Sequence, residues 1–252
     1  MYEMNQYSRS YGAAQVRSAE SVASYLRRVY LLFTGGVFFA IAGALAALYL
    51  GEPAIIRAGR GVTLEVPPLV AFGMEHWIMM LIIYMGAFFG ASSLRMRPGI
   101  NVAALFGYTT ITGIFLAPSL FIAQLMASQG ATLDASPVRD AFLLTGAAFT
   151  GLSGYVLVTR KDFSFLGAAL NMGFWVILGA MLLGIFLHSA VFHLAIASVG
   201  VLLFSGYILY DTSRLLHDRS QNDAVGAALG LFLNVVNLFL FLLRILSSSR
   251  ER

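Results

Sequence analysis

The 252-residue sequence contains no cysteine, one lysine (Lys161) and only 11% charged residues. Without cysteine there are no disulfides, thiol nucleophiles or cysteine-bound metals, and the redox compartment leaves no trace. The shortage of charge is more telling, because a soluble domain carries about 25% charged residues. With 59% hydrophobic residues and a mean hydropathy of +0.80, the chain has too little polar surface to coat a water-soluble globule. It reads as an integral membrane protein whose immediate partner is the lipid bilayer. The net charge of +4 does not indicate nucleic acid, since the arginines stand singly or in pairs between apolar runs, where membrane topology accounts for them. No HExxH, GxSxG, Walker or dinucleotide-binding pattern occurs, so the reading is of a non-enzymatic chain without a cofactor.

What the sequence does have is long apolar runs. Crossing a bilayer core takes about 20 apolar residues of helix. Stretches at 29–50, 76–94, 101–126, 140–158, 164–187 and 191–213 meet that length, and a seventh, 225–246, does so while carrying two asparagines and an arginine. Backbone groups in lipid must be satisfied within the segment, so helices are expected. The expected fold is an all-α seven-helix bundle over 28–246. Residues 1–27 are read as a flexible cytoplasmic tail, 51–74 as an irregular external loop marked by GEP, GRG and VPP, and 247–252 as a C-terminal tail. Ten basic residues (Arg9, Arg17, Arg27, Arg28, Arg95, Arg97, Arg160, Lys161, Arg214, Arg219) fall on one side and three (Arg57, Arg60, Arg139) on the other. That bias places the N-terminus in the cytoplasm. Full crossing by all seven segments exports Arg244, Arg250 and Arg252, so the last segment either spans or re-enters. Two small-residue ridges, Gly86/Gly90 in GAFFG and Gly36/Ala40/Ala44, suit close helix packing within the bundle. Pro118 is expected to kink the third span. His188 and His193 read as interfacial groups flanking a turn.

Polar groups inside apolar runs need a reason. On the last segment Gly226, Gly230, Asn234, Asn237, Phe241 and Arg244 recur at steps of four and three, which places them on one stripe. On the sixth, Gly200, Phe204, Tyr207, Asp211 and Arg214 form a comparable stripe. A bare carboxylate is costly to bury, so Asp211 must be protonated, paired or hydrated. Arg214 one turn on is its nearest candidate partner, with Arg95 and Arg97 as alternatives. Two readings stand side by side: a local Asp211–Arg214 pair ending the helix, or a carboxylate facing a wet cavity with Asn234 and controlling ions or protons.

The stretch SGYILYDTSRLLHD followed by LGLFLNVVNLFLFLLRIL resembles the signature of the Bax inhibitor family. GYTTITGIFLAPSL (107–120) resembles that family's third-helix motif, and TRKDFSFLGAAL and HLAIASV resemble its bacterial YccA branch. The resemblance covers Arg27 to Leu246 apart from the 51–74 loop. It implies six helices packed around a central seventh. It also implies one of two functions in the bacterial inner membrane: a pH-sensitive calcium leak gated by two aspartates, or modulation of the membrane-anchored AAA protease FtsH. The first aspartate falls on Asp211 and the second on Asn234, which cannot ionise. The expected ion path and pH sensor is therefore Asp211, Asn234 and Asn237. On the leak reading Ca2+ is the expected permeant ion with Asp211 as its weak contact, and the oligomeric state is open.

Overall fold

The computed structural model describes residues 2–58, 62–128, 136–187, 189–217 and 223–248. Its elements are helix α1 (Tyr2–Tyr49), strands β1 (Ala54–Ala58) and β2 (Val62–Val66), and helices α2 (Pro68–Glu75), α3 (Trp77–Leu94), α4 (Asn101–Ser128), α5 (Pro137–Thr159), α6 (Gly167–Phe186), α7 (Ala190–His217) and α8 (Ala224–Ser248). A short 3-10 turn, Ser164–Leu166, leads into α6. Among the described residues, seven helices are long and apolar enough to cross a membrane. Large side chains on their outer faces are largely exposed, with Phe186 at 78%, Leu202 at 73% and Trp175 at 65%. Such a girdle suits hydrocarbon surroundings and no aqueous ones.

The helix ends follow local chemistry. α5 begins three residues earlier than the apolar run suggests because Pro137 sits at its first turn and the Ser136 hydroxyl accepts the Arg139 amide at 3.2 Å. α8 is continuous over 25 residues, roughly 37 Å of helix at 1.5 Å per residue. That length, with its apolar composition, is enough to cross a core of about 30 Å.

Two expectations need correction. The 51–74 segment is organised: β1 and β2 form an antiparallel hairpin pairing Ala54 with Val66 and Ala58 with Val62, and α2 follows. Val66 and Val70 bury against Ala47 of α1 and Ala117 of α4. The alternation in VTLEV and a proline at a helix start carried that signal. The 1–27 stretch, expected as a flexible tail, is helical from Tyr2 and runs without a break into the first span. Arg60 and His188 lie outside the described residues.

α8 forms the axis. It packs closely on α1, α4, α5 and α7, while α3 joins mainly against α4 and α6 against α7. Ala228, Leu231 and Leu238 of α8 are wholly buried. The tightest helix contact is α1 on α4, where a Cβ at Gly43 would drive into the Thr110 carbonyl oxygen and one at Gly113 into that of Ala40. The Gly36/Ala40 ridge therefore does pack inside the bundle. The Gly86/Gly90 ridge does not: a Cβ at either position meets nothing within 4 Å. Helix α4 continues through Pro118, whose ring packs against Gly73 of α2.

Candidate functional site

The stripes on α7 and α8 face each other along antiparallel helices. At one level Gly200 leaves room for Phe241, whose ring would lie 2.6 Å from a Cβ at that position. Phe204 then stacks on Phe241 with ring centroids 5.8 Å apart. Nearer the other end the polar pair meets: Asn234 Nδ2 donates to Asp211 Oδ2 at 2.7 Å. Asn234 is buried at 8% exposure, and Asp211 is half-buried. This contact offsets part of the cost of placing a carboxylate in an apolar run, and the charge of Arg214 on the same cavity wall is a further favourable interaction. Gly230 lies beside the same carboxylate oxygen, which a Cβ there would meet at an ordinary contact distance of 3.5 Å.

The two partners open onto different spaces. Asp211 lines a small cavity of about 230 Å³ with Arg95, Arg214, Asp223, Gly226 and Gly230. Asn234 lines a larger one of about 980 Å³, shared with Asn237, Ser119, Tyr207, Phe241 and Arg244. The hydrogen-bonded pair therefore sits at the partition between them. All six residues of the α8 stripe line one cavity or the other. Four of the five on α7 do likewise, and Gly200 supplies the close contact.

The charge partners sort themselves differently from the sequence expectation. Arg95 reaches the small cavity but pairs with Asp223, Nε to Oδ2 at 3.2 Å. Arg214 is on the cavity wall with its guanidinium 5.7 Å from the Tyr210 ring. It makes no ion pair with Asp211 among the described residues. Arg97 lines neither cavity. Asn237 turns its amide back to the Leu233 carbonyl at 2.8 Å, so it borders the large cavity without touching Asp211.

Asp223 was missed from sequence. It opens α8, accepting the Gly226 amide at 2.7 Å while holding Arg95. An acid just ahead of a helix, with a small residue three positions on, was the available signal. Among the described residues no group of three or more His, Cys, Asp or Glu is placed to hold a metal. Asp211 and Asp223 give the small cavity two carboxylates, against the six to eight oxygens that calcium takes.

A second polar cluster anchors the segment ahead of α6. The Ser213 hydroxyl on α7 accepts the Phe163 amide at 2.8 Å and lies 3.3 Å from Asp162 Oδ1. Asp162 Oδ1 also accepts the Ser164 amide at 2.8 Å. The Ser164 amide above all, with help from Ser213 and His217, holds the Asp162 carboxyl below its ordinary range.

Fold and site together define a multi-pass helical membrane protein whose two last helices are joined by an acid–amide pair at the junction of two cavities. The profile of the family described as "Inhibitor of apoptosis-promoting Bax1" matches residues 22–251. An uncharacterized protein of Campylobacter jejuni is 33% identical over 98% of this chain and 97% of its own length. Protein lifeguard 4 of Mus musculus is 31% identical over 91% of this chain and 87% of its own. A Golgi anti-apoptotic protein of vaccinia virus is 36% identical over 66% of each. The chain belongs to the Bax inhibitor family.

Proposed function

We propose that this protein is a non-enzymatic, weak, pH-sensitive cation leak of the bacterial inner membrane, with calcium as its physiological ion and its N-terminus cytoplasmic. One observation carries the reading: the Asp211–Asn234 hydrogen bond stands between two cavities that reach it from opposite ends of the bundle. Conduction requires that bond to open, leaving a single carboxylate facing the junction. Protonation of Asp211 removes the charge that would receive a cation, and this is the source of pH sensitivity. The weakness of the leak follows from the surroundings. Arg95, Arg214, Asp211 and Asp223 sum to no net charge in the small cavity, and the large one holds Arg244 with no acid. Neither space concentrates divalent cations, so flux is slow.

The test is calcium entry into liposomes holding purified protein, read with an enclosed indicator dye. Wild type should admit calcium above protein-free liposomes with a pH-dependent rate, and Asp211→Asn should flatten that dependence. Flux equal to empty liposomes at every pH ends the proposal.

A further inference from the structure

The large cavity has a chemistry that ion passage does not use. Most of its wall is apolar, built from Met85 and Phe88 of α3, Met126 of α4, and Phe174, Ile177 and Met181 of α6. Several of these stand partly open to the surroundings, with Met126 50%, Met181 44% and Met85 39% exposed. α3 and α6 each pack on a different neighbour, α4 and α7 respectively, and both contribute wall on the membrane-facing side. Two polar features gather at the end of α8 away from Asp211. Arg244 is the one charged residue in the lining, and no carboxylate pairs with it among the described residues. Ser247, one turn on and in the same wall, has a hydroxyl oxygen that is buried without a hydrogen-bond partner. A buried hydroxyl left unmatched is costly, and such exceptions mark places where something else completes the bond.

We infer that this cavity binds a long-chain fatty-acid anion from the membrane, its carboxylate on Arg244 and Ser247 and its chain laid toward Asn234. The guanidinium fork matches a carboxylate, and the Ser247 hydroxyl supplies a further donor. The length agrees. Arg244 lies roughly 15 Å along the helix from Asn234 at 1.5 Å per residue, and one leaflet of a bilayer core of about 30 Å holds its chains in about the same distance. The volume of about 980 Å³ lies within the span of sites that enclose a small amphiphile. Methionines in the wall adapt to a flexible chain. The inference shares the large cavity with the conduction reading but is read by binding alone, so the failure of one is distinguishable from the failure of the other.

The experiment is equilibrium binding of radiolabelled palmitate to the full chain in nanodiscs of uncharged lipid. Palmitate should bind saturably at one per chain. Hexadecanol, equal in chain but uncharged, should compete at least about tenfold less well, and acetate should not compete. Arg244→Gln should weaken binding about tenfold, Ser247→Ala a few-fold, and Met181→Trp, which fills the wall, should abolish it. Arg97→Gln, outside both cavities, should leave it unchanged. The inference is overturned by non-saturable uptake, by equal competition from hexadecanol, or by displacement of palmitate by phosphatidylglycerol at equal ratio. The hexadecanol and phosphatidylglycerol arms use wild type, so they decide the matter even if Arg244→Gln fails to fold.

Discussion

Asn234 and Asp211 share a 2.7 Å hydrogen bond, yet each faces a separate cavity. The amide is the donor and the carboxylate the acceptor, so replacing the amide reverses the local logic. With Asn234→Asp, two carboxylates meet at hydrogen-bond distance and must share a proton to remain there, titrating as a coupled pair. The expected outcome is a two-step carboxyl titration by infrared difference spectroscopy that wild type lacks, with a steeper pH dependence of calcium flux. A single-step titration in the variant would mean that the facing geometry is wrong.

The same bond has a stability consequence. Asn234→Ala leaves the carboxylate without its donor, and hydrogen bonds to charged groups are worth about 1.5–3 kcal/mol. Asp211→Asn leaves an amide pair that can still bond, so its cost should be nearer 1 kcal/mol. The order of the two losses, measured by unfolding in detergent, is the discriminating result. Equal losses would show that the bond adds nothing beyond packing.

Close approach of α1 and α4 gives a contrast between glycines. At Gly113 a side chain would strike the Ala40 carbonyl of a rigid helix, so Gly113→Ala should cost about 1–3 kcal/mol through forced helix separation. At Gly86 a methyl group meets nothing within 4 Å, so Gly86→Ala should be neutral or slightly stabilising by helix propensity. Thermal unfolding of the two variants checks both. A destabilising Gly86→Ala would reveal a contact that the monomer does not contain.

How much of this was legible follows the periodicity of the residues. The stripe from Gly226 to Arg244 could be read because a helix repeats every 3.6 residues, and a polar group on an apolar helix has few places to face. Pairing of Asp211 with Asn234 was likewise readable, through the family resemblance and the two stripes. The sequence could not assign Arg95 to Asp223 instead of Asp211, since that choice depends on how far α3 and α8 approach. Nor could it show that Asn237 turns back on its own helix, or that the two cavities meet at a partition. Both depend on side-chain directions set by packing. The hairpin after α1 was hidden because glycine and proline at its edges outweighed five-residue strands.

Asp223 makes two contacts of different worth. Its cap on the Gly226 amide should be worth about 1 kcal/mol. Its ion pair with Arg95 joins side chains 48% and 29% exposed, where screening leaves about 0–1 kcal/mol. Asp223→Ala should therefore destabilise more than Arg95→Ala, while Asp223→Asn, which keeps the cap, should lose only the smaller amount. A double-mutant cycle between positions 95 and 223 separates the two. A coupling as large as the whole Asp223→Ala loss would make the ion pair dominant and the cap negligible.

Acid should loosen the segment ahead of α6. The Asp162 carboxyl lies below its ordinary value of 3.8 because the Ser164 amide, assisted by Ser213, bonds its ionised form. A group whose pKa is lower in the folded state contributes stability above the ordinary value and loses it as pH falls through the folded one. The anchoring of Phe163 and Ser164 to α7 is thus fully present at neutral pH and should weaken below about pH 4. Amide exchange at Ser164, corrected for intrinsic rate, should accelerate in that range in wild type and stay flat in Asp162→Asn, whose side chain accepts the bond without titrating. Ser213→Ala should raise exchange at Phe163 at every pH, because the Phe163 amide loses its acceptor. If wild type and Asp162→Asn responded alike to acid, the pH dependence would have to be assigned to another group.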